Sequence, residues 1–200
     1  MIKNLKTELI IFTFLILTFI FFPKTDLILF NILDNFLNNI YIKKFFIDIT
    51  VLGDSLWYFT VFILVFFVNF LLKKNYFQNY KSLYLSIKIS SLFMFMSLLS
   101  TGILTQILKH LIGRVRPNHI FTEGAFNFFS TDASFHSFPS GHASTAFILA
   151  LIFSIFIPKL KYFFLFFATI IAFSRVVVSA HFFTDIVGGA VIAFICFKII

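Results

Sequence analysis

Long runs of apolar residues dominate this 200-residue chain and limit what it can fold into. Hydrophobic residues make up 60% of the sequence and charged residues only 12%. A soluble domain carries about 25% charged residues, so a water-soluble fold of this chain would have too few polar side chains to cover its surface. The sequence therefore predicts an all-α, polytopic membrane protein.

Six apolar runs come close to the roughly 20 residues that a helix needs to cross a bilayer. They cover residues 7–22, 55–72, 86–108, 142–158, 160–178 and 185–200. No small-residue cleavage site follows the first run, which favours a membrane anchor over a removed signal peptide. Since nothing in the pattern indicates a second domain or a repeat, we expect a six-helix bundle forming one membrane-embedded domain over 1–200.

Basic residues indicate how such a bundle is oriented, because cytoplasmic loops carry the excess of lysine and arginine. The lysines that fall on one side of a six-span bundle are Lys3, Lys6, Lys73, Lys74, Lys81, Lys159, Lys161 and Lys198. We therefore expect both termini to be cytoplasmic, in a cell inner membrane. The first external loop, 23–54, interleaves apolar residues with Asp and Asn, which predicts either an amphipathic helix in the membrane interface or a packed surface helix.

The net charge of +8 points to anionic partners. In a membrane protein these are lipid headgroups or anionic substrates. The basic residues form neither a tail nor a stacking platform, so we do not expect a nucleic-acid partner. The single cysteine, Cys196, can form neither an internal disulfide nor a zinc cluster, so it says nothing about the redox compartment.

Three polar clusters stand at the ends of the apolar runs. The first, from Lys109 through Arg114 and Arg116 to Pro117, closes the third run. Its cations can be interfacial anchors or a cradle for phosphate oxygens, to which arginine offers a planar fork and lysine a point charge. The six-span count places this cluster on the external side of the membrane, where an excess of lysine and arginine is not expected. Interfacial anchors are therefore the weaker interpretation.

The second cluster, Pro139-Ser140-Gly141-His142, directly precedes an apolar helix. Ser140 can cap that helix, and Gly141 lets a ligand approach the backbone closely. The unpaired N–H groups and the positive dipole end of a helix N-terminus favour a bound anion. His142 is then placed to carry a proton, although a capped helix with an incidental histidine has the same sequence.

The third cluster contains Ser174, Arg175, His181 and Asp185. An arginine near the end of an apolar span is costly unless it is paired, which makes Arg175 a functional candidate. If the segment is helical, His181 and Asp185 share a face, and the carboxylate can hold one ring nitrogen of the histidine. The other nitrogen is then free to act as a nucleophile, or the pair is a structural hydrogen bond. All three clusters fall on loops that share the external face of a six-span bundle.

In this order, Lys-x6-Arg-Pro, Pro-Ser-Gly-His and Ser-Arg-x5-His-x3-Asp resemble the three-part signature of the type 2 phosphatidic acid phosphatase superfamily. The motifs cover 109–185. The resemblance implies a reaction without metal or cofactor, in which His181 attacks phosphorus, Asp185 orients it, and His142 protonates the leaving oxygen and then activates water. It also implies that Lys109, Arg116, Ser140, Gly141 and Arg175 hold the phosphoryl oxygens.

The resemblance leaves the substrate open among membrane lipid phosphates. Phosphatidate, phosphatidylglycerol phosphate, undecaprenyl diphosphate and lipid A all suit it, and an external site favours an envelope lipid. Alternative functions are a lipid phosphotransferase, a phosphatase of soluble phosphate esters, and a phospholipid transporter or scramblase that uses the same cations for binding. The absence of a recognisable inverted repeat in the sequence disfavours the transporter.

Overall fold

The protein is a helical bundle in the computed structural model, which describes residues 23–36, 39–71, 81–119 and 125–200. The α-helices within those ranges are α1 (Pro23–Phe36), α2 (Ile40–Thr50), α3 (Ser55–Leu71), α4 (Lys81–Ile112), α5 (Gly141–Phe156), α6 (Lys161–Val177) and α7 (Phe183–Ile199). In these ranges the only β-type pairing is an isolated bridge between Arg114 and Phe126. The predicted all-α class is confirmed.

Three helical stretches in the described part of the chain are long and apolar enough to cross a membrane: Ile40–Val68, Ile87–Ile112 and Pro158–Val177. Helix α5 is apolar but shorter. Large apolar side chains such as Phe66 and Phe166 are exposed on the bundle, as a lipid-facing surface requires. The chain is therefore a membrane-embedded, multi-pass protein. The six-span count stays a prediction, since the first predicted span, 7–22, and the loop lysines at 73 and 74 lie outside the described residues.

The predicted external loop, 23–54, folds as two helices instead of one. Asn39 begins the second by accepting a hydrogen bond from the backbone N–H of Tyr41 at 2.9 Å, so the chain restarts a helix there. Helix α2 then runs through a short turn, Val51–Gly53, towards α3. A location in the membrane interface stays a prediction for both helices.

Helix α5 lies at the centre of the bundle and packs against α4, α6 and α7. Small side chains allow the closest of these contacts, because Ala146 and Ala150 of α5 meet Ala168 of α6 in one buried cluster. A second cluster joins α3, α4, α5 and α7 around Phe62, Leu98, Ile148, Leu149, Ile152 and Ala193. This packing brings the N-terminus of α5 and the loop between α6 and α7 to the same end of the bundle as the C-terminus of α4.

Candidate functional site

The end of α4 is fixed by a tight turn at Gly113. This residue has a φ of +56°, which glycine adopts without strain, and a Cβ placed there would lie 1.6 Å from the carbonyl oxygen of Asn127. The N–H of Asn127 donates to the carbonyl of Gly113 at 2.7 Å, and the N–H of Val115 donates to the carbonyl of Ala125 at 3.1 Å. The turn therefore holds the first cluster, from Lys109 to Arg116, against the following loop.

The second cluster forms the N-terminus of α5, as its sequence predicts. The Ser140 hydroxyl caps the helix by accepting the N–H of Ala143, and the Ser140 N–H donates to the backbone carbonyl of Asp185 at 3.0 Å. Helix α7 approaches this segment closely at Gly189, where an added Cβ would lie 2.5 Å from the Ser140 carbonyl oxygen. The second and third clusters are thus joined through backbone atoms.

The third cluster differs from its sequence interpretation in one respect. Helix α7 begins at Phe183, so His181 lies in the preceding loop and shares no helical face with Asp185. The carboxylate nevertheless faces the ring, with 3.6 Å between His181 Nδ1 and Asp185 Oδ2. That distance is longer than a hydrogen bond, and among the described residues His181 Nδ1 has no hydrogen-bond partner.

Burial controls the charge of His181. The side chain is nearly inaccessible to solvent, and burial lowers the pKa of His181 to about 3, against the opposing effect of Asp185. The imidazole is therefore neutral at physiological pH. A neutral ring keeps the lone pair that a nitrogen nucleophile needs.

One polar cavity of about 260 Å³ brings the three clusters together. Its lining includes both candidate histidines, His142 and His181, and the cations Lys109, Arg116 and Arg175. The other residues around it are Gly53, Asp54, Ser55, Leu98, Gly102, Thr105, Gln106, Gly141, Ser144 and Thr145. Three cations against one carboxylate, that of Asp54, give the cavity an excess of positive charge, which favours an anionic ligand.

The cations are held at this cavity by hydrogen bonds that leave donors to spare. Lys109 Nζ donates to the carbonyl of His136 at 2.7 Å, and Arg116 Nε donates to the carbonyl of Ala133 at 3.0 Å. Arg175 Nη1 donates to the Thr50 hydroxyl at 3.0 Å, while its buried Nε has no partner in the part of the chain that the structure describes. A buried guanidinium nitrogen without an acceptor is costly unless a ligand supplies one.

Two predicted site residues do not line the cavity. Ser140 is buried in its capping role, and Asp185 lies behind His181. Their predicted contributions to binding and catalysis stay predictions, as do the roles of the residues that do line the cavity.

Several residues support the site in ways that their sequence pattern does not indicate, and Arg114, grouped above with the candidate phosphate-binding cations, contacts Asp185 and does not line the cavity. Asp185 accepts hydrogen bonds from Arg114 Nη1 at 2.7 Å, from the Ser137 hydroxyl at 2.6 Å and from the Phe182 N–H at 2.8 Å. Gly53 also supports the site, since a Cβ there would lie 2.9 Å from the His142 side chain. The sequence offered one signal, the rarity of arginine, which places Arg114 among only three in the chain.

A helical membrane bundle with two histidines and three cations around one cavity places the chain in the class of membrane-embedded proteins with a cationic cavity. The model of the PAP2 superfamily matches residues 90–200, and the chain belongs to that family.

Two curated relatives agree with this membership. The chain is 34% identical over 146 residues to the lipid A 1-phosphatases of Rhizobium etli and Rhizobium johnstonii, an alignment that covers 70% of this chain and 62% and 59% of theirs. The chain thus spans about three fifths of the length of these relatives.

The fold is similar to that of a PAP2-type phosphatidylglycerolphosphate phosphatase from Bacillus subtilis, with a TM-score of 0.67 and 20% identity over 96% of this chain and 92% of that one. It is also similar to that of Aquifex aeolicus LpxE, with a TM-score of 0.62 and 23% identity over 86% of this chain and 92% of that one.

Proposed function

We propose that the chain is a membrane phosphatase that removes phosphate from a lipid through a phosphohistidine intermediate on His181. The observation that carries the proposal is the convergence of both histidines and three cations on one cavity. Phosphoryl transfer mainly requires in-line placement of the reacting groups and stabilisation of charge on the phosphoryl oxygens. Lys109, Arg116 and Arg175 are suited to the second task.

In the first step, a ring nitrogen of neutral His181 forms a bond to phosphorus while the bond from phosphorus to the lipid oxygen breaks. Protonated His142 gives its proton to that oxygen, so the lipid leaves as an alcohol, or as a lipid monophosphate if the substrate is a diphosphate. In the second step, His142 takes a proton from water, the water oxygen bonds to phosphorus, and the bond from phosphorus to His181 breaks. The products are inorganic phosphate and the regenerated histidine.

The size of the cavity supports a substrate whose headgroup alone enters it. Pockets that enclose drug-sized ligands measure about 300–1,000 Å³, and this one is smaller. A phosphorylated headgroup fits such a volume while the hydrocarbon chains stay in the bilayer. The names of the curated relatives make lipid A 1-phosphate the first substrate to test, followed by phosphatidate, phosphatidylglycerol phosphate and undecaprenyl diphosphate.

The test is phosphate release from this lipid panel by purified protein. We expect the wild type to release phosphate from at least one lipid and His181→Ala to lose activity at least about 10,000-fold, since the nucleophile is essential. His119→Ala is the matched control, because His119 belongs to the turn Pro117–His119 and does not line the cavity. Movement of intact lipid phosphate between leaflets without phosphate release would favour a transporter instead.

The intermediate has a separate test with p-nitrophenyl phosphate, whose leaving group needs no proton. We expect His142→Ala to accumulate an acid-labile phosphoprotein, because the first step then proceeds without His142 while hydrolysis is slow. His181→Ala should form none. A phosphoprotein in His181→Ala would contradict the nucleophile assignment.

We further propose that both termini are cytoplasmic and that the cavity opens at the outer face of the inner membrane. The exposed residues Asp132 and Lys159 lie in different loops and report on the two sides. In a Cys196→Ser background, an impermeant maleimide applied to spheroplasts should label Asp132→Cys and spare Lys159→Cys. The reverse pattern would invert the proposed orientation.

A further inference from the structure

A single arginine joins two buried carboxylates behind the candidate nucleophile. Arg114 Nη1 donates to Asp185 Oδ1 at 2.7 Å, and Arg114 Nη2 donates to Asp26 Oδ2 at 2.7 Å. The exposed fractions of the three side chains are 5% for Arg114, 4% for Asp26 and 0% for Asp185. Buried charges of this kind are costly unless each is paired and hydrogen-bonded, so the network is a built feature of the fold.

Thr184 completes the network around Asp26. Its N–H donates to Asp26 Oδ1 at 3.2 Å, and its hydroxyl donates to Asp26 Oδ2 in a short hydrogen bond while accepting from Arg114 Nη1 at 2.7 Å. Because Thr184 directly precedes Asp185, the contacts of Asp26 reach the first turn of α7 by two routes: through Arg114 and through the backbone of Thr184.

Helix α1 delivers Asp26 to this place by packing one face against the site. Asp26, Phe30 and Leu33 follow the i, i+4, i+7 spacing of a single helix face. Phe30 meets the Phe182 ring edge-on with 6.0 Å between centroids, and Leu33 packs against the buried cluster that contains Ala143. These apolar contacts do not involve the Asp26 carboxylate, so they are expected to keep α1 docked when that carboxylate is changed.

On these contacts, and building on the proposed function, we propose that Asp26 is a positioning residue that, through Arg114, holds the Asp185 carboxylate against His181. The network contains two carboxylates and one guanidinium, so it keeps one net negative charge. When His181 bonds to phosphorus its ring becomes cationic, and the retained negative charge stabilises that state. Without Asp26, Arg114 would neutralise Asp185 and would lose one of the contacts that orient its guanidinium against that carboxylate.

The experiment compares Asp26→Asn with Asp48→Asn. Asp48 is an exposed aspartate on α2, so its substitution makes the same chemical change in the neighbouring helix, outside the network. We expect Asp26→Asn to lower kcat about 10- to 100-fold, by analogy with outer groups that orient metal ligands, with KM changed less than twofold. Asp48→Asn should match the wild type in both parameters.

A double-mutant cycle separates positioning from a loss of folding. Asp185→Asn removes the group on which Asp26 is proposed to act, so adding Asp26→Asn to it should lower kcat no further. The thermal midpoint of each variant is measured first, and kcat is then compared at one temperature at which all variants are folded. The comparison of kcat stays valid even if the network also contributes stability.

The outcomes distinguish the inference from the function on which it rests. A wild type that releases no phosphate overturns both. An active wild type with unchanged kcat in Asp26→Asn, or an equal loss in Asp48→Asn, overturns the positioning role alone. Losses that add in the double mutant would also overturn it, since they would mean that Asp26 acts independently of Asp185.

Discussion

Removing one cation from the cavity should lower activity by an amount that follows from its position. Arg175 lines the cavity with a buried Nε that has no partner within residues 23–36, 39–71, 81–119 and 125–200, so a phosphoryl oxygen is its natural acceptor. Two unit charges about 4 Å apart interact by roughly 4 kcal/mol at an effective dielectric constant of about 20. Since about 1.4 kcal/mol is a factor of ten in rate, Arg175→Met should lower kcat/KM by about 1,000-fold.

Two further variants make this prediction specific. Arg175→Lys keeps the charge but loses the planar fork, so we expect an intermediate loss of about tenfold. Lys161→Met also removes a cation from α6, but its position 14 residues earlier places it about 21 Å away along the helix. This is more than two Debye lengths at physiological salt, where the length is about 8 Å, so kcat/KM should not change.

The assay is initial-rate phosphate release at fixed lipid-to-detergent ratio and ionic strength. A loss in Arg175→Met below about fivefold would refute the reasoning, because a cation in contact with the transferring group cannot be worth so little. Equal losses in Arg175→Met and Lys161→Met would refute it differently, by showing that net charge matters and position does not.

Three other predictions follow from the site. His181 takes up a proton near its ordinary pKa of 6.5 in the unfolded chain but only near pH 3 in the folded protein, so the free energy of unfolding should fall as the pH drops from about 6.5 towards 3. His181→Gln should lack this pH-dependent loss of stability in thermal melts from pH 7 to 4. A pH dependence equal to that of the wild type would contradict the prediction. Gly189→Ala should lower the free energy of unfolding by about 1–3 kcal/mol in denaturant titrations, because the added Cβ clashes with the Ser140 carbonyl. The control Gly102→Ala should not destabilise, since its Cβ meets nothing within 4 Å. Equal losses of stability would count against the close approach of α7 to Ser140. EDTA should leave phosphate release intact and vanadate should inhibit it, since a cavity with three cations repels a divalent metal and attracts a phosphate mimic; activity lost in EDTA and restored by added metal would overturn this.

The helices of the bundle were largely predictable from the sequence because their signals are local. The predicted run 160–178 corresponds to Lys161–Val177, and 142–158 corresponds to Gly141–Phe156. The second of these begins where the Ser140 cap requires it to begin. Local signals also placed the three clusters at helix ends, where polar groups meet the unpaired backbone of the helix.

The partners of Asp185 were not predictable in the same way. The i, i+4 spacing suggested a helical pair with His181. The Asp185 carboxylate instead accepts the N–H of Phe182, so α7 begins at Phe183 and His181 lies in the loop before it. The strongest partner of Asp185, Arg114, is 71 residues away, and Asp26 is 88 residues from Arg114. Nothing in the pattern of a single sequence pairs charges at such separations; only the packing of α1, α4 and α7 does.

The distribution of charge around His181 explains why Asp185, Arg114 and Asp26 lie outside the cavity. A phosphoryl group is anionic, so carboxylates that faced it would repel it, yet a histidine that becomes cationic on attack benefits from a carboxylate nearby. The fold satisfies both requirements by placing Asp185 behind the ring, where the cavity lining does not include it, and the three cations in front. A substitution that moved the Asp185 carboxylate into the cavity would therefore weaken both substrate binding and transition-state stabilisation. For this reason we expect the hydrogen bonds from Arg114 to fix the orientation of Asp185 as well as to balance its charge.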